Sequence, residues 1–184
     1  LKNKNIFKTK KRTLIEYTLI QLKGLNVDKI ILSSDSKKIL KVAKKYKNLE
    51  LVNRPKKLST DKSLVIDTIR YHLNQEQKKN FVYDYVLLLS PTSPLRTNKQ
   101  LNQAINIVKK RKPDSLISVE KVNKPLQWLL KINKKGNLEE YMGKGKAIGN
   151  RQNKKIYYFP NGAIYILKTN KIFTNKYYFK KTIP

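Results

Sequence analysis

The sequence predicts an α/β fold with a mainly parallel sheet, and three features carry that expectation. Tyr85–Leu89 is an unbroken apolar run, too short for a helix and closed by a turn holding Pro91 and Pro94. That is the pattern of a strand covered on both faces. Ser115–Val119 repeats it after a stretch with helical periodicity. Between Thr13 and Tyr46, helix, strand and helix alternate at the lengths of one α/β turn.

Taken in order, residues 1–11 form a basic, polar opening. Thr13–Gly24 sets Leu14, Ile15, Thr18, Leu19 and Leu22 on one helical face, with Gly24 as terminator. Lys29–Ser33 reads as a strand. Ser34-Asp35-Ser36 then offers an N-cap, Asp35 included, for a helix over Lys37–Tyr46. Glu50–Val52 is a short strand running into Asn53-Arg54-Pro55, and Asp61 reads as the N-cap of a helix over Lys62–Leu73. His72, the only histidine, sits late in that helix and reads as structural, which excludes a His-based triad or a multi-His metal site. After the central strand, Ser90, Thr92, Ser93, Arg96 and Thr97 crowd the exit loop. Ligands of open α/β sheets bind just beyond the carboxyl ends of the strands, and a cationic, hydroxyl-rich loop there suits an anionic ligand. Asn98–Lys110 is a helix with Leu101, Ala104, Ile105 and Val108 as its core face. The charge run to Lys112 reads as a solvated C-terminus, where cations are favoured. From Glu120 the pattern changes to antiparallel β structure, with a turn at Asn133–Asn137 and a polar loop over residues 142–153. The chain reads as one domain, residues 1–184, carrying a small β-rich lobe over residues 122–160.

Composition narrows the class. The 184 residues contain no Cys, which excludes a disulfide framework and thiolate chemistry. No apolar run approaches the ~20 residues of a membrane span, so a cytoplasmic protein is expected. The charge is extreme, with 42 Lys+Arg against 12 Asp+Glu and a formal net of +30. Dedicated nucleic-acid readers favour Arg for bidentate contacts, whereas here lysines are scattered through every predicted helix. Nonspecific polyanion binding at low salt is expected from such a charge.

Several motifs stand in one order along the chain: Lys4-Asn5-Ile6, Arg54-Pro55 with Leu58-Ser-Thr-Asp61, Leu88-Leu-Ser-Pro-Thr-Ser-Pro-Leu-Arg96, Arg151-Gln152, and Pro160-Asn-Gly-Ala-Ile-Tyr165. Together they resemble the acylneuraminate cytidylyltransferases, which make CMP-activated sialic acids and their nine-carbon relatives. The resemblance implies a Rossmann-like nucleotide-diphospho-sugar transferase fold whose small lobe reaches into a second subunit, hence a homodimer. It implies CTP and an anionic sugar acid as substrates, CMP-sugar and pyrophosphate as products, and Mg²⁺ as cofactor. Carried over residue by residue, Lys4 is the catalytic phosphate contact. Lys4, Asn5, Arg54, Asp61 and Ser63 bind the nucleotide, with Ser63 standing in for paired serines that are Leu64 and Val65 here. Ser90, Thr92, Ser93, Arg151, Gln152, Asn161, Tyr165, Tyr178 and Phe179 bind the sugar, Arg151 through its carboxylate. On the sugar side Ser90 stands where the family has Gln, Phe159 where it has Arg, and Gln127 where some members have Lys. The family's glycine-rich phosphate loop is expected before Leu1 and its metal-binding Asp-x-Asp after Pro184, so the chain is expected to be a piece of a longer protein, with no metal ligand within it. Two other classes stay open on sequence: another sugar nucleotidyltransferase of the same fold, and a nonenzymatic basic nucleic-acid-binding protein.

Overall fold

The computed structural model describes residues 4–9, 11–123, 126, 129–141, 156–174 and 178–184. A single 3₁₀ turn, Lys4–Ile6, opens it, followed by β1 (Lys8–Thr9), β2 (Arg12–Thr13), α1 (Leu14–Gln21), β3 (Ile31–Ser34), α2 (Lys37–Ala43) and β4 (Glu50–Asn53). Then come a 3₁₀ turn at Lys56–Leu58, α3 (Val65–Gln77), β5 (Tyr85–Leu88), α4 (Asn98–Arg111) and β6 (Ser115–Lys121). The chain closes with β7 (Leu130–Ile132), β8 (Leu138–Glu140), β9 (Tyr158–Lys168), α5 (Thr169–Ile172) and β10 (Thr182–Ile183). Two compact units divide it: Leu1–Ser118 with Gly162–Pro184, and Val119–Asn161.

In the larger unit, β3 and β4 pair in parallel, and a four-stranded sheet has the order β10-β6-β9-β5. β10 is parallel to β6, whereas β9 runs against β5 with Leu88 opposite Tyr165 and Tyr85 opposite Lys168. Two further bonds, Lys168 N–H to Asp114 O at 3.0 Å and Ile164 N–H to Ser118 Oγ at 2.8 Å, set β9 antiparallel to β6 as well. β5 and β6 are therefore parallel, one strand apart. The α/β winding is the expected one, and the larger sheet is mixed because β9 is threaded backwards between its parallel neighbours.

Side chains alternate along β5, and the two sets enter different cores. Tyr85, Leu87 and Leu89 pack with Ile164, Ile166 and Leu116 against the Leu101, Ala104, Ile105 and Val108 face of α4. Val86 and Leu88 pack with Leu167 against Ile66 and Ile69 of α3 and Ile172 of α5. Both faces are covered, as the apolar run implies, yet all four residues of β5 remain half-buried. The reason is lateral: β5 ends its sheet, and no strand pairs with its second edge among the described residues. A third core joins Ile15 and Leu19 of α1, Leu32 of β3 and Ala43 of α2. Fully burying one such aliphatic side chain stabilises by roughly 1.5–3 kcal/mol.

Helix ends follow local chemistry. Thr13 and Glu16 form a reciprocal capping box at α1, and Thr97 and Gln100 form one at α4. α4 stops at Lys112, in the left-handed region at φ 45°, just before Pro113. Gly24, at φ 72°, turns the chain after α1. Two capping expectations fail. Ser36 is the N-cap position of α2 and makes no side-chain capping bond, and Asp35 before it pairs with Arg54. α3 starts at Val65 rather than Lys62, because Thr60 N–H donates to Ser63 Oγ at 3.0 Å and closes a turn first. Asp61 lies exposed in that turn and caps nothing.

The smaller unit holds the β7–β8 hairpin, with Ile132 opposite Leu138 and Leu130 opposite Glu140. Asn133 Oδ1 accepts from the amides of Lys135 and Asn137, and Gly136 supplies the φ of 83° that the turn needs.

One buried carboxylate ties α3 to the strands before it. Glu76 is 2% exposed and accepts from Lys29, from Lys79 at 2.9 Å and from the Tyr83 hydroxyl at 3.0 Å. Lys29 also bonds Glu50, at the start of β4. The Lys29 ammonium first, then Lys79 and Tyr83, hold the Glu76 carboxyl at about 2, against the burial that would raise it from 4.5. A depressed carboxyl stabilises the fold above its unfolded value and loses that contribution as pH falls through its folded one. Glu76→Gln should therefore cost on the order of 2–3 kcal/mol near neutral pH. In urea titrations the gap from the parent should close as pH falls from 4.5 to about 2. An undiminished gap at the acid end would assign the loss to packing.

Candidate functional site

The site grows from the turn after β5. Ser90 and Thr92 share a hydroxyl–hydroxyl bond of 2.7 Å, and Thr92 N–H donates to Ser90 Oγ at 3.3 Å, so the loop folds back on itself. Ser93 Oγ donates to the carbonyl of Gly162 at 3.5 Å. Gly162 stands at φ 73°, a conformation a side chain disfavours. Because Leu88 pairs with Tyr165, the end of β5 and the Gly162–Tyr165 stretch of β9 lie side by side. Two motifs about seventy residues apart in sequence meet here.

Arg96 lies beneath this loop at 5% exposure. Nη1 donates to Ala163 O at 2.6 Å and Ser90 O at 3.4 Å, Nε to Gln21 Oε1 at 3.2 Å, and Nη2 to Thr18 Oγ1 at 3.4 Å. All four acceptors are neutral, and burial lowers the arginine's pKa from its ordinary value. The sequence suggested a cation facing an anionic ligand. Instead the guanidinium points into the protein and carries structure. Thr97 is likewise a helix cap rather than a ligand group. Gln21 and Thr18, which hold Arg96, had no signal in sequence beyond their place on α1.

The other expected residues take these places. Arg54 follows β4, and its guanidinium donates to Asp35 Oδ1 at 3.1 Å and to Ser59 Oγ at 3.1 Å. Asp35 follows β3, so this pair lies just past the carboxyl ends of two parallel strands. Lys4 is exposed on its 3₁₀ turn, and Asn5 beside it keeps a buried Oδ1 with no hydrogen-bond partner. Ser63 is engaged with Thr60 and the Lys57 carbonyl, and Leu64 and Val65 are exposed where the family has serines. Tyr165 is half-buried and Asn161 exposed. Tyr178 is exposed, but Phe179 packs onto the core of Ile66, Ile69, Leu167 and Ile172, and its amide donates to Thr182 Oγ1 at 2.6 Å. Gln127, Arg151 and Gln152 lie outside the described residues.

His72 stays structural. Burial holds its imidazole below the ordinary value, and its Nε2 has no hydrogen-bond partner. Among the described residues no three of His, Cys, Asp or Glu come together as a metal-holding group.

Three comparisons bear on this arrangement. The family model described as cytidylyltransferase matches residues 1–184. Over 178 residues the chain is 33% identical to the CMP-N,N'-diacetyllegionaminic acid synthase of Legionella pneumophila, a match covering 94% of this chain and 75% of that protein. It is 28% identical over 181 residues to an N-acylneuraminate cytidylyltransferase of Escherichia coli, covering 97% of this chain and 42% of that one. Among solved structures, a CMP:2-keto-3-deoxy-manno-octonic acid synthetase complexed with CTP is similar at a TM-score of 0.61 and 12% identity, covering 95% of this chain and 70% of that one. At that identity the likeness shows the α/β fold alone.

Proposed function

The chain belongs to the cytidylyltransferase family of nucleotidyltransferases, and from that premise we propose that it joins CTP to a nine-carbon sugar acid of the sialic or legionaminic type. The sugar's anomeric hydroxyl attacks the α-phosphorus and gives up its proton to solvent. The bond from that phosphorus to the bridging oxygen breaks, and pyrophosphate leaves with the electron pair. Negative charge grows on phosphate oxygens during attack, so fixed donors and cations accelerate the step. The observation that carries the reading is the meeting of the Ser90–Ser93 loop with Gly162–Tyr165 at the end of β5.

On this proposal Lys4 contacts the phosphates, Asn5 and Arg54 read the base, and Asp61 and Ser63 lie toward the ribose. The buried, unpartnered Oδ1 of Asn5 supports its part, since such an atom gains most from a ligand donor. Asp35 and Ser59 hold the Arg54 fork in a defined pose before any ligand arrives. Ser90, Thr92, Ser93, Asn161, Tyr165 and Tyr178 contact the sugar, with Phe179 backing the pocket from the core and Gln152 beside Arg151. Mg²⁺ belongs to the proposal as the triphosphate's counter-ion, held by groups other than those described. A cytoplasmic setting is proposed as well; no helix among the described residues is long and apolar enough to cross a membrane. The +30 charge adds nonspecific polyanion binding that salt removes.

A homodimer is also proposed, through the β7–β8 hairpin. Leu130, Ile132 and Leu138 share one face with Glu140 and are 55%, 72% and 67% exposed, while Lys131 and Glu139 pair across the other at 3.0 Å. A two-stranded hairpin with three exposed aliphatic side chains on one face is only marginally stable alone, and a second copy of the same surface covers them symmetrically.

Calorimetry with CTP, UTP, ATP and GTP at moderate salt should show CTP bound at least about tenfold more tightly, a difference of about 1.4 kcal/mol. Equal affinities would reduce the interaction to charge attraction. Arg151→Lys keeps the charge but loses the fork that meets a carboxylate. It should raise KM for the sugar acid by about tenfold or more, the equivalent of one charge-assisted contact, with KM for CTP almost unchanged; unaltered sugar kinetics would remove Arg151 from the site. Sedimentation should find a dimer that Ile132→Glu converts to monomer, and a monomeric parent protein would end the dimer reading.

A further inference from the structure

We propose that Arg96 is a positioning residue of this site, fixing the Ser90–Ser93 hydroxyls from beneath, with Gln21 of α1 as its partner. The proposal rests on the reading of that loop as the sugar-acid contact, but its structural half is independent of it.

Four observations combine. Arg96 is buried, and its donors are divided among three segments: α1 through Thr18 and Gln21, the loop through Ser90 O, and β9 through Ala163 O. Gln21 completes the tie, since its Oε1 accepts from Arg96 while its Nε2 donates to Pro94 O at 2.9 Å. Asn98 clamps the same corner by donating to Gln21 O at 2.8 Å and Lys23 O at 2.9 Å. Finally, the loop's backbone-to-backbone bonds are long, Ser93 N–H to Ser90 O at 3.3 Å and Arg96 N–H to Ser93 O at 3.4 Å. The Ser90–Thr92 hydroxyl pair ties the loop only to itself, so without the guanidinium its anchors to the rest of the fold would be the 3.5 Å Ser93–Gly162 bond and the Gln21–Pro94 bond.

The choice of residue follows from geometry. A guanidinium offers five donors in a rigid plane, so one side chain can serve acceptors on three elements at once. A lysine offers three donors around a single point and cannot span them. Burying a charge with only neutral acceptors is costly. Such a group persists where it fixes a geometry that a cheaper apolar residue would leave loose.

The test uses Arg96→Lys and Gln21→Leu, with Arg96→Met as the charge-free variant. Hydrogen exchange should show the amides of Ser93 and Arg96 exchanging about tenfold or more faster in Arg96→Lys and Gln21→Leu, the scale of one lost charge-assisted bond. Amides in the middle of α4 should keep their protection. With the loop loosened, KM for the sugar acid should rise while KM for CTP holds, a split that general destabilisation would not produce. Unchanged loop exchange in both variants overturns the proposal, and Gln21→Leu alone decides it if the Arg96 variants do not fold. Faster loop exchange with unaltered sugar kinetics supports the tie and instead removes the sugar from this loop.

Discussion

Because β9 runs against β5, the residues that finish β5 lie beside the middle of β9, and the candidate site inherits its geometry from that pairing. Leu88 opposite Tyr165 sets the register. A slip of one residue would turn every side chain of β5 to the wrong core, moving Val86 and Leu88 toward α4 and Leu87 toward α3. The register is held from both sides of the sheet at once, by Ile166 in one core and Leu167 in the other. The loop after β5 can then be short and polar, since its starting point and direction are already decided.

Two buried charges do opposite work in this fold. Glu76 is paired with two ammonium groups and accepts from a phenol, which offset its desolvation, and it joins α3, β4 and the segment before β3. Arg96 has only neutral acceptors, so its desolvation is offset by four hydrogen bonds alone. The first arrangement favours stability, while the second favours one loop conformation over its alternatives. The first lies at the start of β4 and the second at the end of β5.

Much of this was legible in the sequence. The apolar periods of α1, α3 and α4, and the short runs of β5 and β6, specify elements whose faces are covered, and they form within a few residues of the expected bounds. The Pro-Thr-Ser-Pro and Asn-Gly-Ala-Ile-Tyr stretches were recognisable as a pair, though only strand pairing brings them together. Polar partners were harder to read. Asp35, Asp61 and Arg96 each have two plausible uses in a linear sequence, and the choice depends on neighbours distant along the chain: Arg54 pairs with Asp35, and Ala163 and Gln21 draw Arg96 inward. The capping boxes at Thr13–Glu16 and Thr97–Gln100 did have a local signature, Thr followed three residues later by Glu or Gln, and it identifies both helix starts.

The second edge of β5 has a consequence for assembly. Outermost strands in soluble proteins are usually blunted by a lysine, a proline or a bulge, which discourages another chain from pairing with them. From Tyr85 to Leu88 there is none of these, only aromatic and aliphatic residues whose side chains already face two cores. A strand arriving at this edge would extend the sheet through backbone bonds and bring its own side chains over the same two layers. Among the described residues no strand pairs along that edge, so β5 offers a template as well as a support to any strand, from this chain or another, that comes to lie there.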